Sequence, residues 1–208
     1  MLDSKNNFNN LKIHTQYSIC EGAIKIDELA EYCKSNKVKC LGLADSFNLC
    51  GALEFSEKLS KVGTHPIIGT QINIRAFNSI GKVTLYAKSE AGYKNLTKLS
   101  SLSYLKASVT EDPACEIKDI INNNSDLILL TGNYRDFFGN LFQSNKIKDL
   151  KETIIKFKNH FKDRIYFEIQ RHNEIDEKNY ENFILNSSKS IKIPLIATQE
   201  VFYINKDM

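Results

Sequence analysis

No Cys-x-x-Cys pair, no apolar run long enough to span a bilayer and no proline- or glycine-rich linker occurs in this sequence. Each absence removes a class. The five cysteines (Cys20, Cys33, Cys40, Cys50, Cys115) are odd in number and irregularly spaced. A disulfide framework is therefore not expected, and reduced thiols in a cytoplasmic protein are. The opening Met1-Leu-Asp-Ser-Lys-Asn-Asn lacks an apolar segment, so no signal peptide is expected. No membrane partner is expected either, since spanning requires about 20 apolar residues. Neither Gly-x-Gly-x-x-Gly nor a Walker pattern is present, which leaves nucleotide binding without support even though Gly132 follows a strand. Ser100, Ser101 and Ser103 have no nearby His–carboxylate pair to make one of them a nucleophile. Lysine plus arginine exceed aspartate plus glutamate by 28 to 25, a net charge of +3. That permits contact with nucleic acid without arguing for it. There is no internal repeat, and Asn122–Asn124 reads as compositional bias.

What is present is enough apolar material, 42% of 208 residues, for one domain or a domain with a small appendage. Short Ile/Leu/Val-rich strands are predicted at Asn10–His14, Lys39–Ala44, Pro66–Ile74, Val83–Ala87, Leu127–Thr131, Ile165–Ile169 and Pro194–Thr198. Helical periodicity lies between most of them: Ile26, Leu29, Ala30 and Cys33; Leu53, Leu59 and Val62; Leu96, Leu99 and Leu102; Ile147, Leu150, Ile154 and Phe157; Tyr180, Phe183 and Ile184. Helix starts are signalled at Ser89 and Asp176. Only Arg75–Lys82 separates the third and fourth strands, which predicts a hairpin. The fold class expected is α/β, a distorted seven-stranded (βα)7 TIM-like barrel.

Chemistry in such a fold gathers where strands end. Those positions hold His14, Asp45, Gln71, Asn133, His172 and Glu200. Imidazole and carboxylate converging there make a site for a divalent cation, and two cations would suit phosphoester displacement. The plainer alternatives are a hydrogen-bonded His14, an Asp45 that caps the following helix or turn, and a solvated Glu200. Lys82, Lys88 and Lys94 read as solvated surface. Tyr134, Phe137, Phe138, Leu141 and Phe142 read as an aromatic core helix, or in part as a docking face.

Seven segments, in order over about residues 9–205, resemble the PHP domain family (polymerase and histidinol phosphatase), in the form found at the N-terminus of bacterial replicative DNA polymerase III alpha subunits. They are Leu11–Gly22, Leu43–Gly51, His65–Gly69, Leu85–Leu96, Leu127–Gly132, Phe167–His172 and Pro194–Val201. The resemblance implies the PHP fold over residues 1–208 as a single domain, the N-terminal module of a longer polymerase chain. The abrupt stop at Asn205-Lys-Asp-Met208 agrees with a domain-length piece or truncated product.

It also implies where metal ligands would lie. His14, Glu21, Asp45 and Glu200 still hold side chains able to bind Zn2+, Mn2+ or Mg2+. At the other positions Lys12 stands for the first His of a His-x-His opening, Ser46 for a His, Gln71 for a carboxylate, Lys82 and Phe202 for histidines, and Asn133 for a frequent Cys. An ammonium or a phenyl ring cannot coordinate a cation. The implied expectation is a vestigial site, no cofactor, and Lys12 or Lys82 paired with the leftover carboxylates. The implied role is a structural module of a DNA-replicating polymerase that docks the proofreading exonuclease subunit and the rest of the alpha chain, meeting DNA indirectly. The alternative is a stand-alone metal-dependent phosphoesterase.

Overall fold

The computed structural model describes residues 8–205; segments 1–7 and 206–208, on which the leader and chain-end readings bear, lie outside the described residues. The chain forms two compact units, one of residues up to Gln71 together with those from Thr198 onward, the other Ile72–Ala197.

In the first unit β1 (Lys12–Ile13) pairs in parallel with β2 (Cys40–Leu43) on one side and with β8 (Glu200–Val201) on the other. β2 in turn pairs in parallel with the start of β3 (His65–Ala76). Between them run α1 (Ile26–Asn36) and α2 (Ala52–Lys61). The i, i+3, i+4 spacing read in the sequence is the buried face of α1: Ile26, Leu29, Ala30 and Cys33. It joins Ile13, Leu41, Leu43, Phe55 and Leu59 in one core cluster. Each large side chain so buried contributes about 1.5–3 kcal/mol relative to exposure. The turn after β1 closes on itself, with the Glu21 and Gly22 amides donating to the Ser18 carbonyl. Only glycine fits at its end, because a Cβ on Gly22 would lie 2.1 Å from the Thr15 carbonyl oxygen.

In the second unit β4 (Ser79–Ala87) pairs antiparallel with β5 (Leu127–Leu130), and β5, β6 (Ile165–Ile169) and β7 (Leu195–Ala197) continue in parallel. β3 and β4 are neighbours joined by Phe77 and Asn78, both at positive φ, so the predicted hairpin is present with longer strands than expected. The helices are α3 (Glu90–Lys106), α4 (Ile117–Asn122), α5 (Phe137–Gln143), α6 (Ile147–Phe161) and α7 (Glu177–Ile191). Ser89 caps α3 through the Gly92 amide, as its sequence signalled. The aromatic helix is core at Phe137, Phe138 and Leu141, with edge-on rings running from Phe137 through Phe138 and Phe157 to Phe161. The serines of α3 are absorbed locally, with Ser101 donating to the Thr97 carbonyl and Ser103 to that of Ser100.

The order of hydrogen-bonded strands is β7-β6-β5-β4-β3-β2-β1-β8, an α/β fold of the expected class. The segment read as one strand at Pro194–Thr198 holds β7, and the eighth strand, β8, follows it separately. The six-residue α4, held by reciprocal Glu116 and Asp119 caps, was not anticipated because it is too short to show a period. Among the described residues no helix is long and apolar enough to cross a membrane.

Candidate functional site

Strand periodicity builds the first-unit site. Lys12 and His14 alternate onto one face of β1, and the β1–β8 register sets Lys12 directly beside Glu200. Both Lys12 and His14 are fully buried, and the Lys12 Nζ lies 2.9 Å from Glu200 Oε1. Two residues on, Phe202 stacks on the His14 ring at 4.4 Å between centroids and 18° between planes. Gln71 Nε2 donates to Glu200 Oε1 at 2.8 Å, and Ser46 Oγ donates to Glu21 Oε2. Burial alone would raise the Glu200 carboxyl, but the Lys12 charge, then His14, with hydrogen bonds from Lys12 and Gln71, overcome it and hold the group at about 2.

Asp45, just past β2, does not cap a helix. It reaches back to the turn after β1 and accepts from the Thr15 amide (2.6 Å), the Thr15 hydroxyl (2.7 Å) and the Ser18 hydroxyl (2.8 Å). Both carboxylate oxygens are therefore engaged. Burial nonetheless pushes its pKa up, with those three hydrogen bonds opposing and the Glu21 charge adding to the rise. Ser18 spends its only proton on Asp45, so its oxygen accepts from the Ser46 amide (3.1 Å) and from His14 Nδ1 (3.3 Å). That assigns a proton to Nδ1 and turns Nε2 toward Glu200 Oε2, 4.0 Å away.

His14, Asp45, Ser46, Gln71, Glu200, Phe202 and Lys12 thus come together, with Glu21 at the exposed edge. Sequence reading missed Thr15 and Ser18, the groups that hold Asp45. Among the described residues, no three His, Cys, Asp or Glu side chains are grouped to hold a metal ion.

Lys82 and Asn133 belong to the second unit, Lys82 half-buried on β4. Asn133 follows β5 and donates to Gln170 Oε1 (3.1 Å), an oxygen that also lies 2.9 Å from His172 Nε2. Gln170 donates to buried Glu168 (2.6 Å), which also accepts from the Gly132 amide (3.1 Å). Tyr180 closes this group, its hydroxyl buried without a hydrogen-bond partner among the described residues. Its pKa is raised by burial first, then by Asp136 and Glu168. The signal for Glu168 and Gln170 was present: residues 168, 170 and 172 alternate on β6 and its extension.

The PHP domain family model matches residues 10–172. DNA polymerase III subunit alpha of Vibrio cholerae is 30% identical over 96% of this chain and 18% of its own length. The Rickettsia prowazekii protein of that name is 34% identical over 97% and 17%. The chain thus spans less than a fifth of the length of these two relatives. Among solved structures, an amidohydrolase from Chromobacterium violaceum, with bound sulfate and no metal, aligns with TM-score 0.59 at 8% identity, covering 96% of this chain and 89% of that one. A protein from Bifidobacterium adolescentis described as a metal-dependent phosphoesterase aligns with TM-score 0.61 at 10% identity, covering 94% of this chain and 87% of that one.

Proposed function

The chain belongs to the PHP domain family, and on that premise we propose that it is the PHP module of a cytoplasmic replicative DNA polymerase III alpha subunit, structural and without catalysis of its own. Residues 1–208 form one such domain in this reading. The observation that carries it is the Lys12–Glu200 pair. An ammonium with three donors and no acceptor lies against the carboxylate that a divalent cation would need. Asp45 has both oxygens filled by Thr15 and Ser18, and Phe202 covers the His14 ring. These residues do not fit a metal. Their chemistry is that of an internal counter-charge, which ties β8 to β1 without a bound ion. The partners in this reading are the rest of the alpha chain and the proofreading exonuclease subunit.

Elemental analysis after dialysis against trace Zn2+ and Mn2+ tests it. The expected result is far less than one ion per chain. One or more tightly held ions, lost in Asp45→Ala, would overturn the reading in favour of a phosphoesterase using His14, Glu21, Asp45 and Glu200. Hydrolysis of nitrophenyl phosphate should likewise be independent of added metal and unchanged in His14→Ala.

A further inference from the structure

We infer that the outer edge of α6, continued at the end of α7, is a binding surface for the phosphate backbone of duplex DNA. The surface belongs to the second unit and is argued from its own charges, independently of the scaffold reading.

Lys148, Lys151, Ile155, Lys158 and Lys162 follow one another at intervals of 3, 4, 3 and 4, so they share one side of α6 and of the turn after it. The apolar face of the helix (Leu150, Ile154, Phe157, Phe161) lies on the adjoining flank, roughly 100° round the helix, and is buried in the core. Lys158 Nζ donates to the carbonyls of Lys162 (2.8 Å) and Lys192 (3.2 Å), which brings the end of α7 against the stripe. Lys189 and Lys192 extend it there, both exposed. At about 1.5 Å rise per residue the stripe is roughly 20 Å long. Among the described residues no carboxylate pairs with any of these six lysines. Ion pairs of this unit are formed by Arg75, Lys94, Lys106, Lys118, Arg135 and Arg171, among others. Glu152, four residues after Lys148, borders the stripe without an ion pair to it, Asp149 lies on the next flank of the helix, and Asp163 follows the stripe in the turn.

Helix-dipole stabilisation accounts for Lys158 and Lys189, which sit in last turns. It does not account for Lys148 and Lys151, near the positive N-terminal end of α6, where a cation is disfavoured. A regular row of ammonium groups without carboxylate partners, Lys158 alone engaged by carbonyls, suits a repeating line of phosphates. A membrane surface is a poorer fit, because the apolar face that would insert is already buried. Single-stranded nucleic acid is also a poorer fit, because the stripe carries no aromatic side chain on which bases could stack.

Fluorescence anisotropy of a 20-base-pair duplex against the 208-residue chain, titrated at several salt concentrations, tests this. Lys158 is engaged with carbonyls, which leaves five lysines for phosphate. Affinity should fall by roughly 10² to 10³ between 50 and 200 mM salt, a log–log slope of about −4 to −5. Lys148→Gln/Lys151→Gln/Lys162→Gln should weaken binding at 50 mM salt and flatten the slope by about 3. The triple Lys94→Gln/Lys98→Gln/Lys118→Gln, on α3 and α4, should leave both unchanged, with thermal melting confirming that each variant is folded. An unchanged slope in the stripe variant, an equal loss in the control, absence of duplex binding at 50 mM salt, or tighter binding of the single strand would each overturn the inference.

Discussion

A lysine buried against a carboxylate makes stability depend on protons. Glu200 is held at about 2 against a reference of 4.5, so its contribution is fully present above about 4.5 and is lost as pH falls toward 2. The depression corresponds to a contribution on the order of a few kcal/mol. Asp45 has the opposite sign: its pKa is raised, so it disfavours folding as pH rises and is relieved by acid. Unfolding free energy measured by urea from pH 6 to 2.5 should therefore decline more steeply in the unaltered chain than in Glu200→Gln; parallel curves would remove the role given to Lys12. Lys12→Met should cost about 3–5 kcal/mol at pH 7, the penalty of leaving a buried carboxylate without its partner. The position of Lys12 was legible as a departure from His-x-His, and so was its need for a carboxylate. The partners of Asp45 were not, since Thr15 and Ser18 lie 30 and 27 residues away and only the folded register brings them in.

At the scale of elements, the site depends on how closely β1 approaches β2. The Gly42 amide donates to the Asn10 carbonyl, and a Cβ at position 42 would lie 2.2 Å from the Leu11 carbonyl oxygen. The obstacle is backbone and cannot rotate away. Gly42→Ala should therefore push the chain at Leu11 outward and shift Lys12 and His14 with it, destabilising by about 1–3 kcal/mol in urea titration, as overpacking does. A stability within 0.5 kcal/mol of the unaltered chain would mean that β1 yields without cost. Helices with long apolar periods, α1 and α6 above all, were legible from sequence because packing there follows from 3.6-residue spacing alone. The two-residue β1 and β8 were legible only in outline. Their existence rests on neighbours rather than on local propensity, which also explains why Pro194–Thr198 was read without the separate strand that follows it.

The whole molecule poses the question of whether one domain or two is being unfolded, and its cysteines can answer it. Cys20 and Cys50 are exposed, while Cys33 and Cys115 are buried, their thiols pushed up by burial to about 11 and about 12. Cys33 lies in the first unit and Cys115 in the second. A thiol-reactive dye at pH 8 should modify Cys20 and Cys50 rapidly, half-buried Cys40 more slowly, and Cys33 and Cys115 only on unfolding, since the thiolate is the nucleophile. β3 supplies His65–Gln71 to one unit and Ile72–Ala76 to the other as a single uninterrupted strand. Melting either half frays an element on which the other depends, so the two buried thiols should become reactive over the same range of urea concentration. Peptide mapping of the modified protein across a urea series reads each site separately. Coincident midpoints are expected for one PHP domain. Midpoints separated by more than about 1 M, a gap of roughly 1–3 kcal/mol, would instead show two units that unfold independently and would count against residues 1–208 as one domain.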